Sequence, residues 1–474
     1  MDDLQWQFGS YGGVPPRIVD AILERGGLEA LMAAARERGD WFCAAGAVRG
    51  LCAAGEFGRA WAVVEPFAVT GWQPAVRTGA DVLLRFGRVD RALELARPEG
   101  PQEDAAGEWL DYAEVLARAG RVDDAFGVLR PYEYGGWVLE ALAEMTEGQG
   151  RDERVLELLA PIAEELRRGP KEHTVRGLWN VLPAQARVLE RSGRADEAIR
   201  MLGADVAAHR YGPQTTVEFY AGLLGRHGRL DELRALATGP DRRVAAGPYV
   251  TALEHAGRAG EAESYLRGLI AARHPGWYEN ALMELLIRQG RFDDAVEAVE
   301  HTFDDLHDSN LLQPTMLLLA EQGRHDKALE LTEGRSPEFL AANDAFWLRP
   351  NRWWLMGEAG RAREAIAEIE ALPADEVHDR EPTVAWLLAQ DGRIEEAMAR
   401  LRPLPGKRAA TDLAELLVRQ NRFTEAIAVI PDVATQREEA RNLRSSPAEH
   451  LKAPGSDPGE HDDPWIAPNT AHSW

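Results

Sequence analysis

The side chains best placed for chemistry form one polar cluster: His301, Asp304, Asp305, His307 and Asp308. Residues 301, 304, 305 and 308 share a helical face, the arrangement a weak divalent-cation site would need. The same residues would also serve as a solvated helix end in an acidic chain, and that is the expected reading. Cys43 and Cys52 are nine residues apart on a helical hairpin and read as buried structural thiols. The sequence has no phosphate-binding GxxxxGK[ST] loop, no GxGxxG after a strand, and no HExxH or CxxC pattern. No catalytic residue, metal or cofactor is expected, and the chain reads as a non-enzyme.

Two other groups of residues could recognise rather than react. An arginine follows a glycine again and again, as in Gly120-Arg121, Gly193-Arg194, Gly290-Arg291 and Gly392-Arg393. A row of such arginines could bind a ligand. A feature present in nearly every unit more often serves the stacking of units, so pairing with acids of its own or a neighbouring unit is expected. The second group is the run Phe346-Trp347-Leu348-Arg349-Pro350-Asn351-Arg352-Trp353-Trp354, which concentrates three of the fourteen tryptophans.

The elements that position these residues are repeats. Gly55, Gly87, Gly120, Gly150, Gly193, Gly228, Gly257, Gly290, Gly323, Gly360, Gly392 and Asn421 recur at intervals of 29 to 43 residues. A weaker unit around Gly26 precedes them. The anchor ends one helix in a left-handed turn that glycine, and next best asparagine, adopts at low cost. Acids two to four residues later suit the first turn of the following helix. Leucine stands four before the anchor in most units and alanine five after it, as in Leu116 and Ala125. Each unit is thus helix, tight turn, helix. Pro66, Pro98, Pro131, Pro161 and Pro403 each fall eleven residues after an anchor and are expected to end short second helices.

The net charge of −24, from 78 acidic and 54 basic residues, argues against nucleic acid, which requires basic patches. Two cysteines suggest a reducing compartment. An acidic N-terminus without an apolar core reads as no signal peptide. With no long apolar run, the expectation is a cytoplasmic protein with no membrane contact.

The period, with its turn glycine and an alanine five residues on, resembles the tetratricopeptide repeat family over residues 17–431. Trp109 falls where that family's tryptophan stands. The resemblance implies an all-α, right-handed α-solenoid of about twelve antiparallel hairpins whose first helices line a concave groove. It places positions −13, −10, −6, −3 and −2 from each anchor in that groove. By that geometry Trp277, Asn280 and Arg288 are groove residues. Trp354 and Trp386, both at −6, should form one wall that Trp347 extends, with Arg352 near the rim. No lysine occupies the positions of the family's carboxylate clamp. The related pentatricopeptide family reads RNA, which the acidic balance disfavours.

Residues 1–16 read as an irregular lead-in, 432–444 as a capping helix and 445–474 as a disordered, acidic, proline-rich tail. The expected function is an interaction scaffold or adaptor that takes an extended peptide or partner helix. The alternative is a ligand- or peptide-sensing protein that acts on a separate effector.

Overall fold

The computed structural model describes residues 2–99, 106–129, 136–168, 180–208, 213–272, 278–306, 310–373, 376–377 and 379–445. Trp277, the tail beyond Ser445, and His307 and Asp308 of the polar cluster lie outside them. The chain divides into two compact units: Met1–Ala96 with Asp379–Trp474, and Arg97–His378. Both consist of antiparallel helical hairpins, and no strand occurs among the described residues. No helix among them is long and apolar enough to cross a membrane.

The repeat chemistry acts as its residue types require. Gly120 has φ +77° and Asn421 φ +60°. At Gly120 the helix Ala106–Arg118 ends with two closing bonds. Gly120 N donates to Ala117 O (2.9 Å) and Arg121 N to Leu116 O (2.8 Å). This pair defines a glycine-terminated C-cap. The same bond from the turn arginine to the carbonyl four before the anchor recurs at Arg194–Leu189, Arg291–Leu286 and Arg422–Leu417. The leucine therefore has two tasks, since its side chain also enters the core: Leu51, Leu224, Leu286 and Leu319 are fully buried. The alanines five after the anchor, such as Ala60, Ala198, Ala295 and Ala397, are fully buried too. A longer side chain there would push the paired helices apart.

The turn arginines are structural. Arg121 pairs with Asp124 (2.6 Å), Arg258 with Glu261 (2.7 Å) and Arg393 with Glu396 (2.5 Å), each three residues ahead. Arg194 also reaches Glu153 and Arg291 reaches Glu263, both in the preceding hairpin. These pairs are largely exposed, so each contributes little to stability. They set register between neighbours rather than present free cations.

Three sequence expectations need correction. Pro161 does not end its helix but lies inside Asp152–Arg168, and Pro66 lies inside Phe57–Ala68. One missing N–H is tolerated where packing of Leu156, Leu159 and Ala163 holds the helix in place. The lead-in is not irregular throughout: Asp2–Gly9 is helical, with Gln7 buried and bonded to Gly39 O and Trp41 N. A helix does form at Val433–Ser445, but it packs beside Asp2–Gly9. The last hairpin, Lys407–Arg419 and Phe423–Val429, is instead covered by the hairpin Pro16–Glu24 and Leu28–Arg38.

Candidate partner-binding face

The first helices of the second unit carry a charged ladder. Arg226, two before its anchor, ends the helix Pro213–Arg226 and reaches back to Glu190, three before the previous anchor. Nε lies 2.9 Å from Oε1 and Nη2 2.8 Å from Oε2. His227 Nε2 meets Glu190 Oε1 at 2.8 Å. The Arg226 guanidinium holds the Glu190 carboxyl below the usual range; burial opposes it, and His227 adds a smaller lowering effect. Arg288 repeats the relationship with Glu254, at 3.2 and 2.8 Å. Planar guanidinium against carboxylate gives this two-pronged geometry.

Phe219 sits between two cations. The Arg187 guanidinium lies 5.8 Å and that of Arg226 5.6 Å from its ring centre. Arg187 also donates to Glu144 (2.8 Å). Asn280, on the helix Tyr278–Arg288, donates to Glu284 Oε1 at 2.8 Å. The ladder is mixed in sign, and its side chains are committed to one another while remaining half-exposed. The sequence counted these arginines as groove residues. It did not show their glutamate partners or the Phe219 cluster, whose only signal was the regular offset between −2 and −3 of successive units.

The long unit holds the aromatic segment. Ser336 caps the helix Pro337–Asn343 by accepting from Phe339 N (3.2 Å). A π-turn, Asp344–Leu348, then feeds the helix Arg349–Glu358. Trp347 donates to Asn343 Oδ1 (2.7 Å) and meets buried Phe339 edge-on at 6.0 Å. Arg352 does not stand free at a rim. It bonds Glu368 (2.6 Å) on Ala362–Ala371, the second helix of its own hairpin. Trp353 is core, at 3% exposure, and Trp354 is half-buried. Phe346 is 85% exposed. Trp386 is half-buried on Arg380–Gln390 in the first unit, whereas Trp354 belongs to the second.

The polar cluster has a structural task. Asp304 accepts from Ser336 N (3.0 Å) and faces Arg335 (3.8 Å), fixing the start of the next helix. Cys43 is buried against Asp40, and burial, then the Asp40 charge, pushes its thiol well up and away from reactivity.

Hairpins closed by a glycine turn and sealed by a buried alanine define the class: an all-α solenoid of helical-hairpin repeats. No family model matches the chain, and no curated protein matches it. Solved structures similar to it include Naa15/Naa10 bound to HypK-THB, at 13% identity and TM-score 0.37, covering 84% of this chain and 70% of that one. The maize pentatricopeptide repeat protein PPR10 aligns at 16% identity and TM-score 0.33, covering 90% and 68%. The APC/C hetero-tetramer Cut9–Hcn1 aligns at 13% and 0.23, covering 91% and 93%. The class rests on the hairpins of this chain and not on those superpositions.

Proposed function

We propose that the chain is a non-catalytic scaffold that takes an extended segment of a partner protein along the first helices of its second unit. The observation that carries this reading is Phe346, a nearly fully exposed aromatic on a π-turn. Such turns concentrate at functional sites, and exposed apolar surface favours being covered. Trp347 and Trp354 follow it in sequence, each half-buried. Trp353 Nε1 and Arg349 Nη1, one helical turn apart, are buried donors with no acceptor among the described residues. The half-exposed ladder of Arg226–Glu190 and Arg288–Glu254 offers a polar track for the rest of the segment. Asn280 lies at its edge.

Affinity purification of tagged chain, followed by mass spectrometry, tests this. A stoichiometric protein is expected, with capture reduced at least about tenfold in Phe346→Ala or Trp354→Ala, because aromatic anchors dominate interface energy. Full capture by both variants, each still folded, would sink the site. Recovery of a nuclease-sensitive RNA or a small metabolite in place of a protein would replace the scaffold reading.

A further inference from the structure

Within the first unit, the first hairpin packs against the last. Pro16–Glu24 packs on Lys407–Arg419, first helix on first helix, and Leu28–Arg38 on Phe423–Val429, second on second. Neighbouring hairpins share these two pairings, as Pro16–Glu24 with Trp41–Ala53 and Leu28–Arg38 with Phe57–Ala68, although they also join second helix to next first helix, as Leu28–Arg38 on Trp41–Ala53.

The junction is specific. Arg38 donates to Ile427 O, to Ile430 O (2.7 Å) and to Pro431 O (2.9 Å), carbonyls at and just beyond the end of the helix Phe423–Val429. Gly13 and Gln436 exchange two bonds: Gly13 N to Oε1 at 3.1 Å, and Nε2 to Gly13 O at 3.2 Å. Arg17 pairs with Glu415 (3.0 Å) and faces Asp412 (3.6 Å), Lys407 donates to Tyr11 O, and Arg437 to Asp3. Gly27 abuts the Phe423 ring so closely that a Cβ would come within 2.8 Å of it. Two different surfaces, distant in sequence, are therefore mutually complementary.

We propose that this junction is exchangeable: the stacking face of the last repeat takes the first repeat of a second copy of the chain through the same contacts. Complementary, non-identical faces on one molecule generate either a closed contact or head-to-tail assembly. Closure within one chain wins because the first repeat is tethered at high effective concentration. The junction thus acts as a latch that occupies the assembly face.

Complementation between full-length variants tests it. Arg38→Glu spoils the first repeat only, by setting a carboxylate against carbonyl oxygens. Phe423→Glu spoils the last repeat only. Each variant alone has no intact junction, within or between copies. In a mixture, the intact first repeat of the Phe423→Glu chain meets the intact last repeat of the Arg38→Glu chain. Light scattering after size exclusion should give monomers for wild type and for each variant, and a 1:1 heterodimer for the mixture. Hydrogen exchange at residues 427–436 should accelerate by about tenfold or more in each variant alone. A mixture that stays monomeric despite accelerated exchange overturns the exchange. Unchanged exchange in both variants overturns the latch itself. Should either glutamate variant lose helicity, Arg38→Ala and Phe423→Ala are mixed and read in the same way.

Discussion

Arg226 holds Glu190 of the preceding hairpin by two parallel bonds, 2.9 and 2.8 Å long, while its guanidinium lies over Phe219. Arg288 and Glu254 repeat the bonds two units later. In both pairs a residue two before one turn meets a residue three before the previous turn, across neighbouring first helices.

The pair should act on recognition more than on stability. Arg226 is half-exposed and Glu190 19% exposed, so a double-mutant cycle with Arg226→Ala and Glu190→Gln should give a coupling of about 1 kcal/mol or less. The sign with pH follows from the lowered Glu190 pKa. Its contribution is present above the ordinary carboxylate range and is lost as pH falls through the lower folded value. Urea denaturation of the four proteins at neutral pH measures the coupling. A value several times larger would mean that the ladder holds the second unit together.

Glycines at turns and glycines inside helices should respond oppositely. Gly120, at φ +77°, has open space around it, so Gly120→Val suffers from backbone strain and not from a clash. A loss of about 1–2 kcal/mol is expected, confined to neighbouring hairpins. Gly127 lies within the helix Val122–Leu129, also with open space, and Gly127→Ala should stabilise by about 0.5–1 kcal/mol. Thermal melts of the two variants decide. Shifts of the same sign would contradict the assigned backbone geometry.

The hairpins were legible because the turn constrains residue type: few residues besides glycine and asparagine sit at positive φ, as Gly120 and Asn421 do. Leu116 and Ala125 were legible because core positions recur with the turn. The partner of Arg352 was not legible because counting from an anchor gives a face but not a partner, and Glu368 lies on another helix. The union of Arg38 with the carbonyls near Ile430 was invisible for the same reason on a larger scale. No local pattern links residues so far apart. Pro161 shows the converse, a strong local signal overridden by the packing around it.

Acid should tighten the first unit. Burial, and then the neighbouring Glu415, push the Asp412 carboxyl up to about 6, against the pull of Arg17 and Arg408, with Asp379 adding to the rise. A raised acid pKa means that the folded state binds the proton more tightly. Stability therefore increases as pH falls from above 6 toward the ordinary value of 3.8, and is not gained further below it. Lys407, lowered to about 8 chiefly by burial, works elsewhere: it adds stability only as pH rises from 8 toward 10.5. Hydrogen exchange at residues 407–419 between pH 5 and 7, compared with Asp412→Asn, isolates the first effect once intrinsic rates are corrected. An identical pH slope in the variant would assign it to another group.

The last prediction concerns Asp40, which is fully buried and joins two segments. Oδ1 accepts from Cys43 N (3.0 Å), capping the helix Trp41–Ala53, and Oδ2 accepts from Val14 N (2.7 Å), fixing the chain just before the first repeat. Gly13 is obligatory beside it, since a Cβ there would lie 2.4 Å from Oδ2. Asp40→Ala strands two buried N–H groups, and each unsatisfied donor costs about 1–3 kcal/mol. Asp40→Asn keeps one acceptor oxygen but must turn an amide N–H toward the other donor. A donor facing a donor leaves Val14 N or Cys43 N unpaired. Both substitutions should therefore destabilise the first unit by at least about 1 kcal/mol, alanine more than asparagine. The deficit of both variants against wild type should grow at low pH, because burial raises the Asp40 pKa, so the folded wild type binds the proton more tightly than the unfolded chain and gains stability that neither variant can. Denaturant melts of wild type and both variants at two pH values test this ordering. Asparagine equal to wild type would show that a single acceptor suffices and that the Val14 bond contributes little.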